Sequence, residues 1–241
     1  MVWILTGNIS IDTIYVLIAY IFAVVISITI HGYAIAAKAC SLGDSTPIFA
    51  KRLTLNPLKN VDWLSSVCLL LYGFGWVKPV SINPLNFENL KRDSFMAQTA
   101  GIIANFFFAF FSAGVYVLVQ KLGGGVTAPF WSFCISFISA LFMQMTIVNL
   151  SLVLFNLIPV PPLDSYFAFS VFSRSNSKML QTLEKYSRLI LLIIVVSVLP
   201  AIIINNAVKF MITPLINFWY WVMWWNIKTN LKKNYLKEQM H

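Results

Sequence analysis

The sequence predicts an all-α protein that crosses a membrane several times, and composition carries most of that prediction. Of the 241 residues, 59% are apolar and 10% are charged, whereas an ordinary globular protein is about a quarter charged. The mean hydropathy is +0.79. Several uncharged stretches also reach the length of about 20 residues that a membrane-spanning helix needs. A soluble enzyme, a coiled coil and a disordered chain are therefore excluded, and we expect residues 1–241 to form a single membrane domain.

The uncharged stretches predict about five spans. They are expected at about 13–37, 94–120, 129–158, 189–208 and 210–227. Three consecutive glycines at 123–125 favour a turn between the second and third spans. The first three spans belong to a predicted core of residues 11–163. The other two belong to a C-terminal region of residues 164–241, which ends in a basic tail.

One apolar stretch, residues 63–77, is too short to cross a bilayer. It contains Gly73 and Gly75 and is followed by Pro79, so the predicted segment is 63–80. Such a segment is typical of a re-entrant loop or hairpin, which enters and leaves the membrane on the same side and needs protein or water to cover its backbone.

The basic residues predict orientation. The net charge of +9 would suit a nucleic acid partner, but the Lys and Arg side chains lie in short loops between apolar spans, where they indicate topology. With residues 38–93, 164–188 and 228–241 on one side, that side holds every Lys and Arg except Lys121 and Lys209. We therefore expect the N-terminus outside, the C-terminus in the cytoplasm, membrane lipid around the chain, and no nucleic acid partner.

Two ionisable residues lie where charge is costly. His31 falls in the first span, and Asp164 follows a proline-rich segment that must end a helix near the membrane. An ionisable residue at such a position suggests a functional site. For His31, the alternative is a packing histidine with a hydrogen bond. For Asp164, the alternatives are a structural pair with His31 and a solvated aspartate in a loop.

Several motifs in the same order resemble the site-2 protease family of intramembrane zinc metalloproteases, in its small form without a PDZ domain. The matching segments are LGD at 42–44, RLTLNPLK at 52–59, GFGWVKPV at 73–80, AGIIAN at 100–105 and FNLIPVPPLD at 155–164. The resemblance begins at His31, which matches the first histidine of the family's H-E-x-x-H motif, and extends to Asp164. It implies three core spans around a cleft, with the re-entrant segment facing that cleft.

The sequence departs from the family pattern at the positions that bind zinc and supply the general base. In the family, the two histidines and a distant aspartate bind zinc, and the glutamate is the general base. This chain has Gly32 at the glutamate position and Ile35 at the second histidine position. Only His31 and Asp164 remain as ligand types, and two ligands are too few for a catalytic zinc. No intact catalytic residue, and no cofactor, is therefore expected.

Other residues do not complete the set. Cys40 lies about 180° around the helix from His31 and about 13.5 Å along it, and Cys40, Cys68 and Cys134 have no C-x-x-C spacing. The only other histidine is His241, in the basic tail.

The resemblance also implies a substrate cleft. It would be lined by Asn105 and Asn156, which help to hold a substrate backbone, and by Gly73, Gly75 and Trp76 of the re-entrant segment. The alternative for the two asparagines is hydrogen bonding between helices.

Three hypotheses follow. The first is a catalytically degenerate homologue, or pseudoprotease, that binds a transmembrane or extended segment of a partner protein. The second is an active metalloprotease in which His31, Asp164 and a further donor hold zinc. The third is a scaffold in a membrane complex, without a peptide-sized cleft.

Overall fold

The computed structural model describes residues 11–172 and 178–238, so Arg174 and His241 lie outside the described residues. Within those ranges the ordered elements are helical. They are α1 (Ile11–Ser41), α2 (Thr46–Phe49), α3 (Pro57–Asn60), α4 (Trp63–Tyr72), a 3₁₀ turn (Pro84–Asn86), α5 (Leu90–Gly123), α6 (Pro129–Asn156), α7 (Asp164–Ser170), α8 (Lys178–Lys185), α9 (Ser187–Val196) and α10 (Val198–Glu238).

Helices α1, α5 and α6 pack against one another and form the centre of the molecule. Small residues such as Gly101, Ala109 and Ala113 make up much of the buried face of α5, which lets neighbouring backbones approach closely. A buried hydrogen bond of 2.7 Å from Asn149 Nδ2 to Ser27 Oγ joins α6 to α1. Close packing and interhelical hydrogen bonding together position the helices that carry the candidate site.

Four helices are long and apolar enough to cross a membrane, counted over the described residues. They are Asp12–Ser41, Leu90–Gly123, Pro129–Asn156 and Ile202–Trp225. The predicted all-α, multi-pass fold class is confirmed.

The number of spans differs from the expected five. The stretch 189–208 is not one helix, because α9 ends at Val196 and Ser197 has an extended backbone with ψ of 125°. Pro200 lies in the first turn of α10. Its missing N–H costs no helical hydrogen bond there, because the first four N–H groups of a helix have no partner within it. The proline therefore favours a new helix start over continuation, and α10 then runs unbroken through Pro214.

The predicted re-entrant segment is a helix followed by an extended return. Asp62 caps the start of α4 by accepting a hydrogen bond from Ser65 N at 3.0 Å, and Gly73 ends the helix with a positive φ of 80°. Ser65 Oγ then accepts from Trp76 N at 2.6 Å and donates to the Trp76 carbonyl. The Lys78 N–H donates to the Asn60 carbonyl at 3.2 Å. The chain therefore leaves Asn60 just before α4 and comes back beside Asn60 at Lys78, so the two arms form a hairpin.

Candidate functional site

His31 and Asp164 come together in the structure. His31 projects from α1, and Asp164 is the first residue of α7. The imidazole Nε2 lies 2.7 Å from Asp164 Oδ2. His31 is fully buried and Asp164 is 8% exposed, so the pair lies inside the helical core and Asp164 is not a solvated loop residue.

The contact between them is close, but its geometry is not that of a well-aligned hydrogen bond. Neither Nε2 of His31 nor Oδ2 of Asp164 meets the angular requirements of a hydrogen bond, and Nδ1 of His31 also has no partner among the described residues. Buried polar atoms normally have partners. His31 Nε2 and Asp164 Oδ2 are therefore each other's nearest polar neighbours, and Nδ1 is the atom of the pair without a partner among the described residues.

Helix α5 closes one side of the imidazole ring. A Cβ atom added at Gly101 would lie 2.6 Å from His31 Nε2 and 2.7 Å from Cε1. Only a glycine leaves room for the ring at this distance. Gly101 is thus a residue of the candidate site, although it carries no chemistry of its own.

The space beside Gly32, the position where the resemblance would put a general base, is filled by a residue from another part of the chain. A Cβ atom at Gly32 would lie 2.2 Å from Asn60 Oδ1 and 2.9 Å from Asn60 Cγ. Asn60 is fully buried at the end of α3. Its Nδ2 donates to the carbonyls of Thr54 and Asn56, each at 3.3 Å, while Oδ1 has no hydrogen-bond partner among the described residues.

Ile35, the position where the resemblance would put a second histidine, is part of an apolar cluster. Ile35 is 2% exposed and packs with Ala36 and Val80, with Ile82 against them. Ile35 therefore contributes apolar packing between α1 and the extended return of the hairpin.

The side chains present do not fit a catalytic zinc ion. Such an ion normally takes three protein ligands and a water. In the described parts of the chain, no group of three or more His, Cys, Asp and Glu side chains comes together. His31 and Asp164 supply two donors, Cys68 belongs to a separate apolar cluster, and His241 lies outside the described residues.

The residues predicted to line a cleft are mostly buried. Asn156 Nδ2 donates to the Leu152 carbonyl of its own helix at 2.9 Å, and the Asn156 carbonyl accepts from Ser165 Oγ at 2.6 Å. Asn105 is fully buried, and both of its amide atoms lack partners within the described residues. Trp76 is 4% exposed and stacks on Phe155.

Gly75 has no room for a side chain. A Cβ atom there would lie 2.8 Å from both Ser65 Oγ and Leu69 Cγ. Gly73, in contrast, lines a cavity of about 730 Å³ that also involves Tyr20, Gln144, Asn205 and Lys209. His31 and Asp164 do not line that cavity.

Sequence reasoning missed Asn60 as a site residue. It follows the segment 52–59 that carries the resemblance, and nothing in its local pattern indicates contact with Gly32. Gly101 belongs to the AGIIAN segment that carries the resemblance. That it leaves room for the imidazole ring of His31 follows only from the packing of α5 on α1.

The comparisons with known proteins point to one relative. The chain is 35% identical over 146 residues to the Bacillus subtilis (strain 168) protein named "Putative zinc metalloprotease YwhC". The aligned part covers 61% of this chain and 65% of the relative, which is slightly less than two thirds of that protein. No family model matches the chain, and no solved structure matches it. The chain is thus a membrane protein similar in sequence to a protein named as a zinc metalloprotease.

Proposed function

We propose that the chain is a site-2 protease homologue that has lost peptide-bond hydrolysis and binds a transmembrane or extended segment of a partner protein. The similarity to a relative named as a zinc metalloprotease supports the metalloprotease origin. The observation that carries the loss of hydrolysis is the identity of two residues: Gly32 and Ile35 stand where a general base and a second zinc ligand would be needed. Without a base or a third ligand, a water molecule cannot be activated by the usual mechanism.

Binding of an extended segment is supported by the return of the hairpin. Residues 77–83 have no regular helix, and the side chains of Val80 and Ile82 pack with Ile35 and Ala36 of α1. Among the described residues, no backbone hydrogen bond joins 80–82 to another extended segment. Such a stretch can receive a partner chain by strand addition, with main-chain hydrogen bonds supplying affinity.

The test of lost hydrolysis is elemental analysis of the purified protein together with a cleavage assay on membrane-spanning substrates. We expect no stoichiometric zinc and no cleavage. Full zinc occupancy that is lost in His31→Ala, or cleavage that chelators abolish, would instead establish the alternative of an active zinc metalloprotease with a non-standard metal site.

Partner binding needs a separate experiment. A photo-crosslinking amino acid at Ser81, which is exposed in the return of the hairpin, should capture a membrane protein in native membranes. The matched control is the same probe at exposed Leu122 at the far end of α5. Equal capture at both positions, or none at Ser81, would favour a scaffold without a peptide-sized cleft.

A further inference from the structure

We propose that Asn60 occupies the volume that a catalytic side chain at position 32 would require, so that Gly32 and Asn60 form a matched pair that keeps the site closed. This inference rests on the proposed function, because it explains how a site without a base is packed. Asn60 lies outside the motifs that carry the resemblance, directly after the segment 52–59.

A Cβ atom at position 32 and the Asn60 side chain in its present rotamer would occupy the same space. The nearest atoms to a Cβ at position 32 are all from Asn60, at 2.2, 2.9 and 3.5 Å. Contacts under 3.0 Å are essentially never made by a real Cβ atom. A glutamate at position 32 would therefore have to displace the Asn60 side chain before its own carboxylate could reach His31 or Asp164.

Displacing the Asn60 side chain would break its two hydrogen bonds, and the backbone around it is fixed from several directions. Its Nδ2 is bonded to two carbonyls of the preceding loop, and its own carbonyl accepts from Lys78 N. The guanidinium of Arg52 donates to the carbonyls of both neighbouring segments, Lys59 and Lys78. These bonds fix α3 and the return of the hairpin relative to each other.

The pairing has a consequence for the origin of the inactive site. A glutamate at position 32 would clash with the Asn60 side chain unless that side chain moves, so the two positions are coupled. Recovery of the base therefore needs the Asn60 side chain to give way, in addition to a glutamate at position 32 and a ligand at Ile35.

Disulfide formation tests the geometry directly. A Cβ at position 32 lies 3.5 Å from Asn60 Cβ, within the range of about 3.5–4.5 Å that a disulfide spans. In the full chain with Cys40, Cys68 and Cys134 replaced by Ala, we expect the Gly32→Cys/Asn60→Cys variant to lose its free thiols on mild diamide oxidation. The readout is the gel shift of maleimide-polyethylene glycol on the remaining thiols, with and without a reductant.

The matched control is Gly32→Cys/Leu58→Cys. Leu58 is on the same short helix as Asn60 but is 80% exposed, so its side chain points away from the buried Gly32. A disulfide in the 32/60 pair and none in the 32/58 pair supports the proposal. Free thiols in a folded 32/60 variant, or equal oxidation of both pairs, overturns it.

A stability cycle gives an independent result if the cysteine variants do not fold. Gly32→Ala should lower the apparent Tm in detergent by about 3 to 10 °C, as overpacking of a core does, and Asn60→Ala should restore most of that loss in the double variant. Gly101→Ala is the control, since its Cβ would meet His31, and Asn60→Ala should not rescue it. A Gly32→Ala protein as stable as the original, or one that Asn60→Ala does not rescue, contradicts the pairing. Neither measurement depends on zinc or cleavage, so this inference and the proposed function can fail separately.

Discussion

The Nε2 atom of His31 and the Oδ2 atom of Asp164 lie 2.7 Å apart although they come from α1 and α7. Both side chains are buried. Removing one partner of a buried pair leaves the other uncompensated, which costs about 3 to 5 kcal/mol, whereas apolar replacement of both is often nearly neutral. The contact therefore makes a specific prediction about how the two residues respond to substitution.

A double-mutant cycle of His31→Leu and Asp164→Leu should be strongly non-additive. We expect each single variant to be clearly less stable than the double variant, measured by thermal unfolding in detergent. Asp44→Asn serves as the unrelated partner for His31→Leu, because Asp44 follows the end of α1 and bonds a different set of residues. Additivity in the His31/Asp164 cycle would mean that the two side chains do not interact energetically.

Metal removal should leave the stability of the protein unchanged. A metal ion that binds only the folded state, at a free concentration 100 times its Kd, adds about 2.7 kcal/mol to the free energy of unfolding. A chelator would therefore lower the Tm of a zinc-holding protein. With two donors in the site, we expect overlapping unfolding curves in EDTA and in added zinc. A fall in Tm with EDTA that is absent in His31→Ala would show that this chain binds metal at the site.

Acid should destabilise the loop that follows α1 through Asp44. Burial acts to raise the pKa of Asp44, but hydrogen bonds from Thr46, Asn83 and Asn86 outweigh it and hold the pKa below its ordinary value. Because the folded pKa is the lower one, this stabilisation is complete above the unfolded value of about 4 and is lost as the pH falls through the folded value.

Asp44→Asn should therefore lower stability near neutral pH by about 1 to 3 kcal/mol, since an amide leaves one donor unsatisfied, and should flatten the stability profile below about pH 4. Unfolding in detergent between about pH 2 and pH 7 measures both effects. Glu88→Gln, at an exposed carboxylate outside this loop cluster, is the control. An unchanged acid profile in Asp44→Asn would mean that the loop carboxylate does not contribute.

The hairpin should be sensitive to a single methyl group at Gly75. A Cβ atom there would meet Ser65 Oγ and Leu69 Cγ at 2.8 Å, and overpacking costs about 1 to 3 kcal/mol. Gly124→Ala is the matched control, because its Cβ would have its nearest contact at 3.5 Å, which is ordinary van der Waals distance. Equal stability of the two variants would contradict the packing of α4 on its extended return.

Reporter fusions should place the ends of the long helices. We expect a fusion after Lys51 to report the cytoplasm and one after Lys121 the outside, because the basic residues are concentrated on one side. The basic tail predicts that a fusion after Lys237 also reports the cytoplasm. Because residues 198–238 form one continuous helix, that report would require a fifth crossing in addition to the four long helices. An external report at Lys237 would leave Ile202–Trp225 as the last of four crossings.

The sequence by itself determined the fold class and the three long core helices. Long uncharged stretches leave helices as the form in which each backbone group is satisfied in lipid, so α1, α5 and α6 follow from composition and length. The break at Ser197 could not be predicted in this way, because Pro200 is tolerated both within a membrane helix and at the start of one.

The candidate site was determined partly by sequence and partly by tertiary structure. The presence of His31 and Asp164, and of Gly32 and Ile35 where the resemblance would put a base and a second ligand, can be read from the sequence. Two further features depend on contacts between segments distant in the chain. Asn60 fills the space beside Gly32, and the imidazole of His31 packs against Gly101. Helix periodicity orders residues along one helix, but only the packing of α3 and α5 against α1 decides which side chain enters the space that a glycine leaves.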